Sequence, residues 1–241
     1  MAASNVPRWA KHISKTLSEH EKVSVYQLAT VDSSNRPHVR SVIHRSFLTP
    51  KGSQSTPLLV TSTDIRTPKV QQMFEDASVE LCWWIDPTGE QFRIAGRIYV
   101  IPDPSNPYHP RSMEKIESAG AAFRELKAEG VDWESKRREL FNTMSPHMKA
   151  SWVRPTPGSK IDDYEESKKW PSKVEGSAGD NPEDPDQAKN LETALGHFAL
   201  VLVDPIEVDY VEMAVLPNRR TRWIREGGVE GTVWADHLEV P

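Results

Sequence analysis

The densest chemistry in this sequence lies in Thr61, Ser62, Thr63, Arg66, Thr67 and Lys69, six residues within a span of nine. Thr67-Pro68 is a helix-start signal, because threonine caps well and proline fits the first turn. Val70, Met73 and Phe74 follow at i, i+3, i+4 spacing, so the spacing predicts a short amphipathic helix beginning at Thr67. Free backbone N–H groups and the helix dipole make such a terminus attractive to an anion. Arg66 and Lys69 add formal charge, and phosphate is the obvious occupant. A capped surface helix with solvated charges is the other reading, and the segment by itself does not choose between them.

Two further basic groups stand out. Arg40 and Arg45 bracket the strand-like run Arg40-Ser-Val-Ile-His-Arg45. At period two they face opposite sides of a sheet, so both serve one ligand only if a bulge or strand end intervenes; otherwise they are edge-strand charges that discourage aggregation. Arg219-Arg220-Thr221-Arg222-Trp223 is basic in an acidic protein, and as a bare pattern it reads first as a solvated loop. Trp83, Trp84 and Trp223 read as core or interface aromatics. The eight histidines are scattered, no His/Cys/Asp/Glu cluster has metal-ligand spacing, and the phosphate-loop, dinucleotide-binding and nucleophile-elbow signatures are absent.

The elements that must position these residues are mostly strands. Val6 to Leu17 reads as a short amphipathic helix. Val23 to Val31 is dense in β-branched and aromatic residues, the turn cluster Asp32 to Pro37 follows, and His38 to Leu48 reads as the returning strand of a hairpin. Leu58 to Ser62, Val79 to Ile85 and Gln91 to Ile101 read as three more strands. In the last of these Phe92, Ile94, Ile98 and Val100 alternate with Gln91, Arg93 and Arg97, and Gly96 marks a bulge or a close backbone approach. Arg111 to Ala128 and Trp133 to Lys149 predict two helices. Thr156 to Asn190, crowded with Pro, Gly, Ser and charges, is expected to be a mostly flexible insertion whose residues 158–188 can be removed without loss of the fold. Strands return at Leu195 to Val203, Val208 to Val215 and Arg222 to Arg225, with a last strand or coil near Val233 to Val240. Many short strands with a few helices between them point to a closed or partly closed β-barrel.

Composition narrows the function. The 241 residues fit one large domain or two small ones at about 150 residues each. The net charge of −5 offers no basic surface for nucleic acid, and no apolar run approaches the roughly 20 residues that span a bilayer. Residues 1–20 carry charges throughout, so no secretory signal is expected. The single cysteine, Cys82, rules out an internal disulfide, fits a reducing cytoplasmic or nuclear compartment, and lies among large apolar residues that make it a packing group.

Taken in order, the pieces resemble the pyridoxamine-5′-phosphate-oxidase-like family of FMN-binding split barrels, most closely its cyanobacterial and fungal branch. The matching pieces are Tyr26-Gln-Leu-Ala-Thr-Val31 with Arg36-Pro37; Arg40-Ser-Val-Ile-His-Arg45; Thr63-Asp-Ile-Arg-Thr-Pro-Lys69; Cys82-Trp-Trp with Glu90 to Gly96; and the ending Asp204 to Asp209 with Arg219 to Trp223. The resemblance implies a mainly β fold with flanking helices, a Greek-key split β-barrel spanning residues 1–241 as one domain with the insertion at about 156–190. It implies FMN as cofactor, with the phosphate held by Arg40, Thr67 and Lys69 and the pocket lined by Ser62 and Thr63. The backbone of Ser41, Val42 and Ile43 would run along the flavin ring, with Arg45 in the place of the family's lysine. Gln91 would hydrogen-bond the flavin and Arg220 would reach the cofactor. It also implies a homodimer with the two sites in the subunit interface.

The pattern departs from the family in two places. Pro68 stands where the oxidase carries an arginine, and Arg66 takes that role. The C-terminal Arg-x-His that holds the substrate phosphate has no equivalent in Leu216 to Arg220. The expectation is therefore an FMN-binding oxidoreductase acting on a small molecule. Pyridoxamine or pyridoxine 5′-phosphate oxidase, and a flavin-binding regulatory protein without turnover, are the alternatives.

Overall fold

The computed structural model of the protein describes residues 6–241. A helix α1 (Arg8–Glu19) leads into strands β1 (Val25–Val31), β2 (Pro37–Ile43), β3 (Ser46–Leu48) and β4 (Leu58–Asp64). Helix α2 (Pro68–Glu75) precedes β5 (Ser78–Ile85) and β6 (Glu90–Ile101). Helices α3 (His109–Glu117), α4 (Ala121–Ala128), α5 (Trp133–Asn142), α6 (Pro146–Ser151) and α7 (Pro185–His197) come next, and β7 (Phe198–Glu212), β8 (Arg219–Arg225) and β9 (Trp234–Glu239) close the chain.

All pairings are antiparallel, in the order β2-β1-β5-β6-β7-β4-β3, with β8 on β7 and β9 on β8. The return run His38 to Leu48 is not one strand. It breaks after Ile43, where His44 N–H donates to the Ser24 carbonyl at 2.7 Å and Arg45 N–H to the Val60 carbonyl at 2.9 Å. The chain thus leaves β1 and joins β4 within two residues, and this crossing closes the sheet into a barrel. The β1–β2 turn is set by Asp32, whose carboxylate accepts from Ser34 and Arg36 N–H, and by Asn35 in the left-handed region at φ 59°.

Alternation on β6 comes out as read, with Phe92, Ile94 and Ile98 buried inside the barrel against Leu28, Leu81, Trp83 and Val201. Gly96 sits at a register shift between β6 and β7, and any Cβ there would overlap the Asp204 carbonyl and crowd Pro205. The same shift explains the first correction: the strands expected at Leu195–Val203 and Val208–Val215 are one strand, β7, that runs through Pro205. Proline is tolerated there because the ladder is already irregular, while Leu195 to His197 belong to α7.

The two helices predicted over 111–149 are four. Gly120 separates α3 from α4, where its lack of a side chain lets the Val229 carbonyl approach. Ser145 caps α6, its hydroxyl accepting from Met148 N–H, with Pro146 at the first position. The segment 156–190 is more ordered in its contacts than its composition suggests. Val174 is fully buried with Phe141, Trp152, Leu191 and Phe198. Its N–H donates to the Pro146 carbonyl at 3.0 Å, and buried Lys149 donates to the Gly176 carbonyl. A few anchors suffice, because each meets an apolar surface supplied by α5, α6 and β7. A third cluster packs α3 and α4 on the outer face of the sheet through Phe123, Leu126, Leu58, Val60 and Leu202.

Candidate functional site

On the outer face of β2 and β4, under α6, lies a cavity of about 230 Å³. Ser41, Val42, Ile43 and Arg45 form one wall, Thr61, Ser62, Thr63 and Lys69 a second, and Met148, Ser151 and Trp152 a third. Eight of the residues singled out in the sequence therefore converge. Arg45 reaches the cavity because β2 ends at Ile43, while Arg40, within the strand, does not line it.

Two cations face this cavity without a protein acceptor. Lys69 makes no ion pair or hydrogen bond with any described residue, and Arg45 Nε is buried without a partner. Burial pushes the Lys69 ammonium below its ordinary pKa, and the like charge of Arg40 adds to this, with Asp64 opposing. Desolvation depresses the Arg45 guanidinium as well. Partly buried cations without an acceptor are costly, and a bound anion is the usual way they are satisfied. The carboxylate in the lining, Asp64, is already matched by Arg66. No side chain caps the start of α2, since the Thr67 hydroxyl donates back to the Asp64 carbonyl at 2.7 Å. The donor set thus fits the phosphate of a flavin mononucleotide: Lys69 and Arg45 for charge, with the Ser41, Ser62 and Thr63 hydroxyls beside them.

The other expected residues lie elsewhere. The Arg66 guanidinium is used up within the protein, pairing with both Asp64 oxygens at 3.0 and 2.6 Å and donating to the Arg154 and Trp152 carbonyls at 2.9 and 3.3 Å. It braces the wall rather than facing the cavity. Arg40 reaches Thr30 Oγ1 at 2.7 Å, the Leu28 and His38 carbonyls, and Gln72 Oε1 at 3.1 Å, behind Lys69. Thr67 lies beside Thr63 and is absent from the lining. Gln91 and Arg220 occupy one cross-strand row, Gln91 opposite Val211 and Val211 opposite Arg220. That row is on the outer face of β6 to β8, and a single chain does not bring it to the cavity. Arg220 pairs there with Asp209 at 2.9 and 2.8 Å. Beside Gln91, the Cys82 thiol is half-buried, and desolvation raises its pKa, as suits a packing group. Sequence reasoning missed Asp64, Met148, Ser151 and Trp152. The Ser145-Pro146 helix start is the signal that locates the last three.

The fold is a split β-barrel with flanking helices, and the cation cavity lies on it. Residues 6–102 match the family described as pyridoxamine 5′-phosphate oxidase, FMN-binding domain. The chain is similar to pyridoxine/pyridoxamine 5′-phosphate oxidase 2 of Arabidopsis thaliana, 28% identical over 190 residues that cover 79% of this chain and 74% of the relative. Among solved structures, the pyridoxamine 5′-phosphate oxidase-related, FMN-binding protein of Nostoc punctiforme PCC 73102 shares the fold. Its TM-score is 0.68 and its identity 23%, over 98% of this chain and 99% of that one. PhzG of Burkholderia lata 383, solved in complex with tetrahydrophenazine-1-carboxylic acid, shares it at a TM-score of 0.60 and 16% identity, over 100% and 95% of the two chains. Among the described residues no helix is long and apolar enough to cross a membrane, and no group of three or more His, Cys, Asp and Glu is placed to hold a metal.

Proposed function

We propose that this protein is an FMN-dependent oxidoreductase that works as a homodimer on a small molecule in the cytoplasm or nucleus. The observation that carries the reading is the pair of cations without protein acceptors, Lys69 and Arg45, in a cavity lined by five hydroxyl residues. When bound, the flavin supplies the redox chemistry. The residues of this chain bind and orient it: Lys69 and Arg45 neutralise the phosphate, and the Ser41 to Ile43 backbone offers a straight edge for the ring.

Size and placement support the homodimer. At about 230 Å³ the cavity is smaller than the roughly 300 Å³ at which small-molecule sites begin, so one chain supplies only part of the enclosure. The outer face of β5, β6 and β8 presents Trp84, 44% exposed, beside the Gln91 and Arg220 row. A second copy placing that face over the cavity of the first would complete the site twice by symmetry. Sedimentation of the flavin-loaded protein should give a dimer, and Trp84→Glu should give monomers with weakened flavin affinity; a native monomer that retains flavin overturns the dimer.

The similarity to the Arabidopsis enzyme favours a second reading, oxidation of pyridoxine or pyridoxamine 5′-phosphate. Against it stands the short loop Leu216 to Arg220, which carries no Arg-x-His to hold a substrate phosphate. The deciding measurement is an absorbance spectrum of the purified protein, then reduction by NADH, NADPH or a deazaflavin donor and assay of pyridoxal phosphate formation. Flavin that is bound and reduced supports the oxidoreductase, and formation of pyridoxal phosphate selects the second reading. Flavin that no donor or substrate reduces makes the protein a binding module.

A further inference from the structure

A second cavity, of about 280 Å³, lies on the same outer face of the sheet, under α5 instead of α6. Its apolar lining is Phe47, Leu48, Val60, Leu140, Leu200 and Leu202. The two cavities abut. Ser62 of the cation cavity is the register partner of Leu200 in the apolar one, and Arg45 of the first is followed in the chain by Ser46 of the second. Nothing on the apolar side invites a charge, because the charged residues of its lining, Lys136 and Glu139, pair with each other at 2.6 Å. The hydroxyls of Ser46 and Thr143 are its remaining polar groups.

We propose that this cavity is the subsite for an uncharged ring of one or two cycles, belonging to the molecule that exchanges electrons with the flavin. The assignment to substrate rests on the FMN reading above; the assignment to a neutral ring rests on the cavity alone. An apolar cavity of about 150 Å³ takes a single benzene ring, so this volume suits one or two. The leucine and valine floor returns favourable transfer energy for such a ring, whereas an anion entering here would be desolvated without a free cation to meet it. A hydroxyl or carbonyl on the ring would find Ser46 at the rim. One continuous sheet face would then carry a charged compartment for the phosphate and an apolar compartment for the substrate.

The test uses ¹⁹F NMR of the flavin-loaded protein with two probes of equal size, neutral 4-fluorobenzyl alcohol and anionic 4-fluorobenzoate. The alcohol should broaden and shift on titration, and the benzoate should bind at least tenfold more weakly. Leu140→Trp, which fills the cavity from α5, should weaken the alcohol at least tenfold with an unchanged flavin spectrum. Thr143→Trp, at an exposed position that leaves the core alone, is the second variant should Leu140→Trp not fold. Lys69→Ala separates the two readings, since it should weaken flavin binding at least tenfold and still bind the alcohol. No binding of the alcohol, equal binding of the benzoate, or full binding in Thr143→Trp overturns the neutral-ring subsite. So does failure of the alcohol together with a change of association state in Thr143→Trp, which would make this face a subunit contact. If Lys69→Ala binds flavin with native affinity, the cofactor reading falls while the apolar subsite stands or falls on its own titration.

Discussion

Arg66 and Asp64, two residues apart at the end of β4, close on each other through hydrogen bonds of 3.0 and 2.6 Å, and the rest of the guanidinium is taken by the Trp152 and Arg154 carbonyls. The arginine nearest the start of α2 is thereby a brace between the sheet and α6, and the charges left for a ligand are Lys69 and Arg45.

This division of labour is measurable. Lys69→Ala and Arg45→Ala should each weaken FMN binding by about 1.5–3 kcal/mol, the worth of a hydrogen bond to a charged group, which is roughly 10- to 100-fold in Kd. Titration of the apoprotein followed by flavin fluorescence reads this directly. Arg66→Ala should instead lower stability by about 3 kcal/mol in urea, since it strands a carboxylate that is largely buried. Equal flavin affinity in both cavity variants would remove the site.

The insertion should prove structural in part. Val174→Ala ought to cost on the order of 2 kcal/mol, because a fully buried side chain leaves a cavity among Phe141, Trp152 and Leu191. Removal of 158–188, which composition alone makes harmless, should expose that cluster and truncate α7. A soluble deletion variant with native denaturation behaviour would restore the flexible reading.

Gly96→Ala should cost about 3 kcal/mol or more, because the added methyl meets backbone atoms of Asp204 and Pro205 that cannot rotate away. An alanine variant with an unchanged melting temperature would mean the β6–β7 register is set by something other than this close approach.

Asp204 gives a pH dependence with a definite sign. It is fully buried against Arg225, one carboxylate oxygen has no partner, and desolvation raises its pKa to about 6 despite the arginine. The folded state therefore holds the proton more tightly than the unfolded chain. That contribution is complete below about pH 4 and is lost as pH rises through about 6, amounting to about 3 kcal/mol by linkage. Asp204→Asn does not titrate, so its stability relative to the native protein should improve by up to that amount between pH 4 and pH 7. Urea midpoints at the two pH values, with a difference that does not change, would show an ordinary carboxylate instead.

The legible parts of the fold were those written in local pattern. β6 and the hairpin of β1 with β2 announce themselves by alternation and by Asp32 and Asn35 in the turn. Thr67-Pro68 marks α2, and Ser145-Pro146 and Asp184-Pro185 carry the same signal for α6 and α7, although the flanking polar composition hid it. Pro205 concealed the continuity of β7, because proline breaks a strand unless the partner strand has already slipped, and that slip depends on Gly96, more than a hundred residues earlier.

For the site, residue type and spacing by themselves determined which side chains carry positive charge and hydroxyls near a helix start, since those properties belong to single residues and to a helix period. Only the tertiary structure decided which of these charges are free. Whether Arg66 or Lys69 faces a ligand depends on Asp64, Trp152 and Arg154, and on a barrel closure at His44-Arg45 that sets Arg45 beside β4. Neutralisation of a charge is a property of distance in space, and no local pattern records the distance between residue 66 and residue 154.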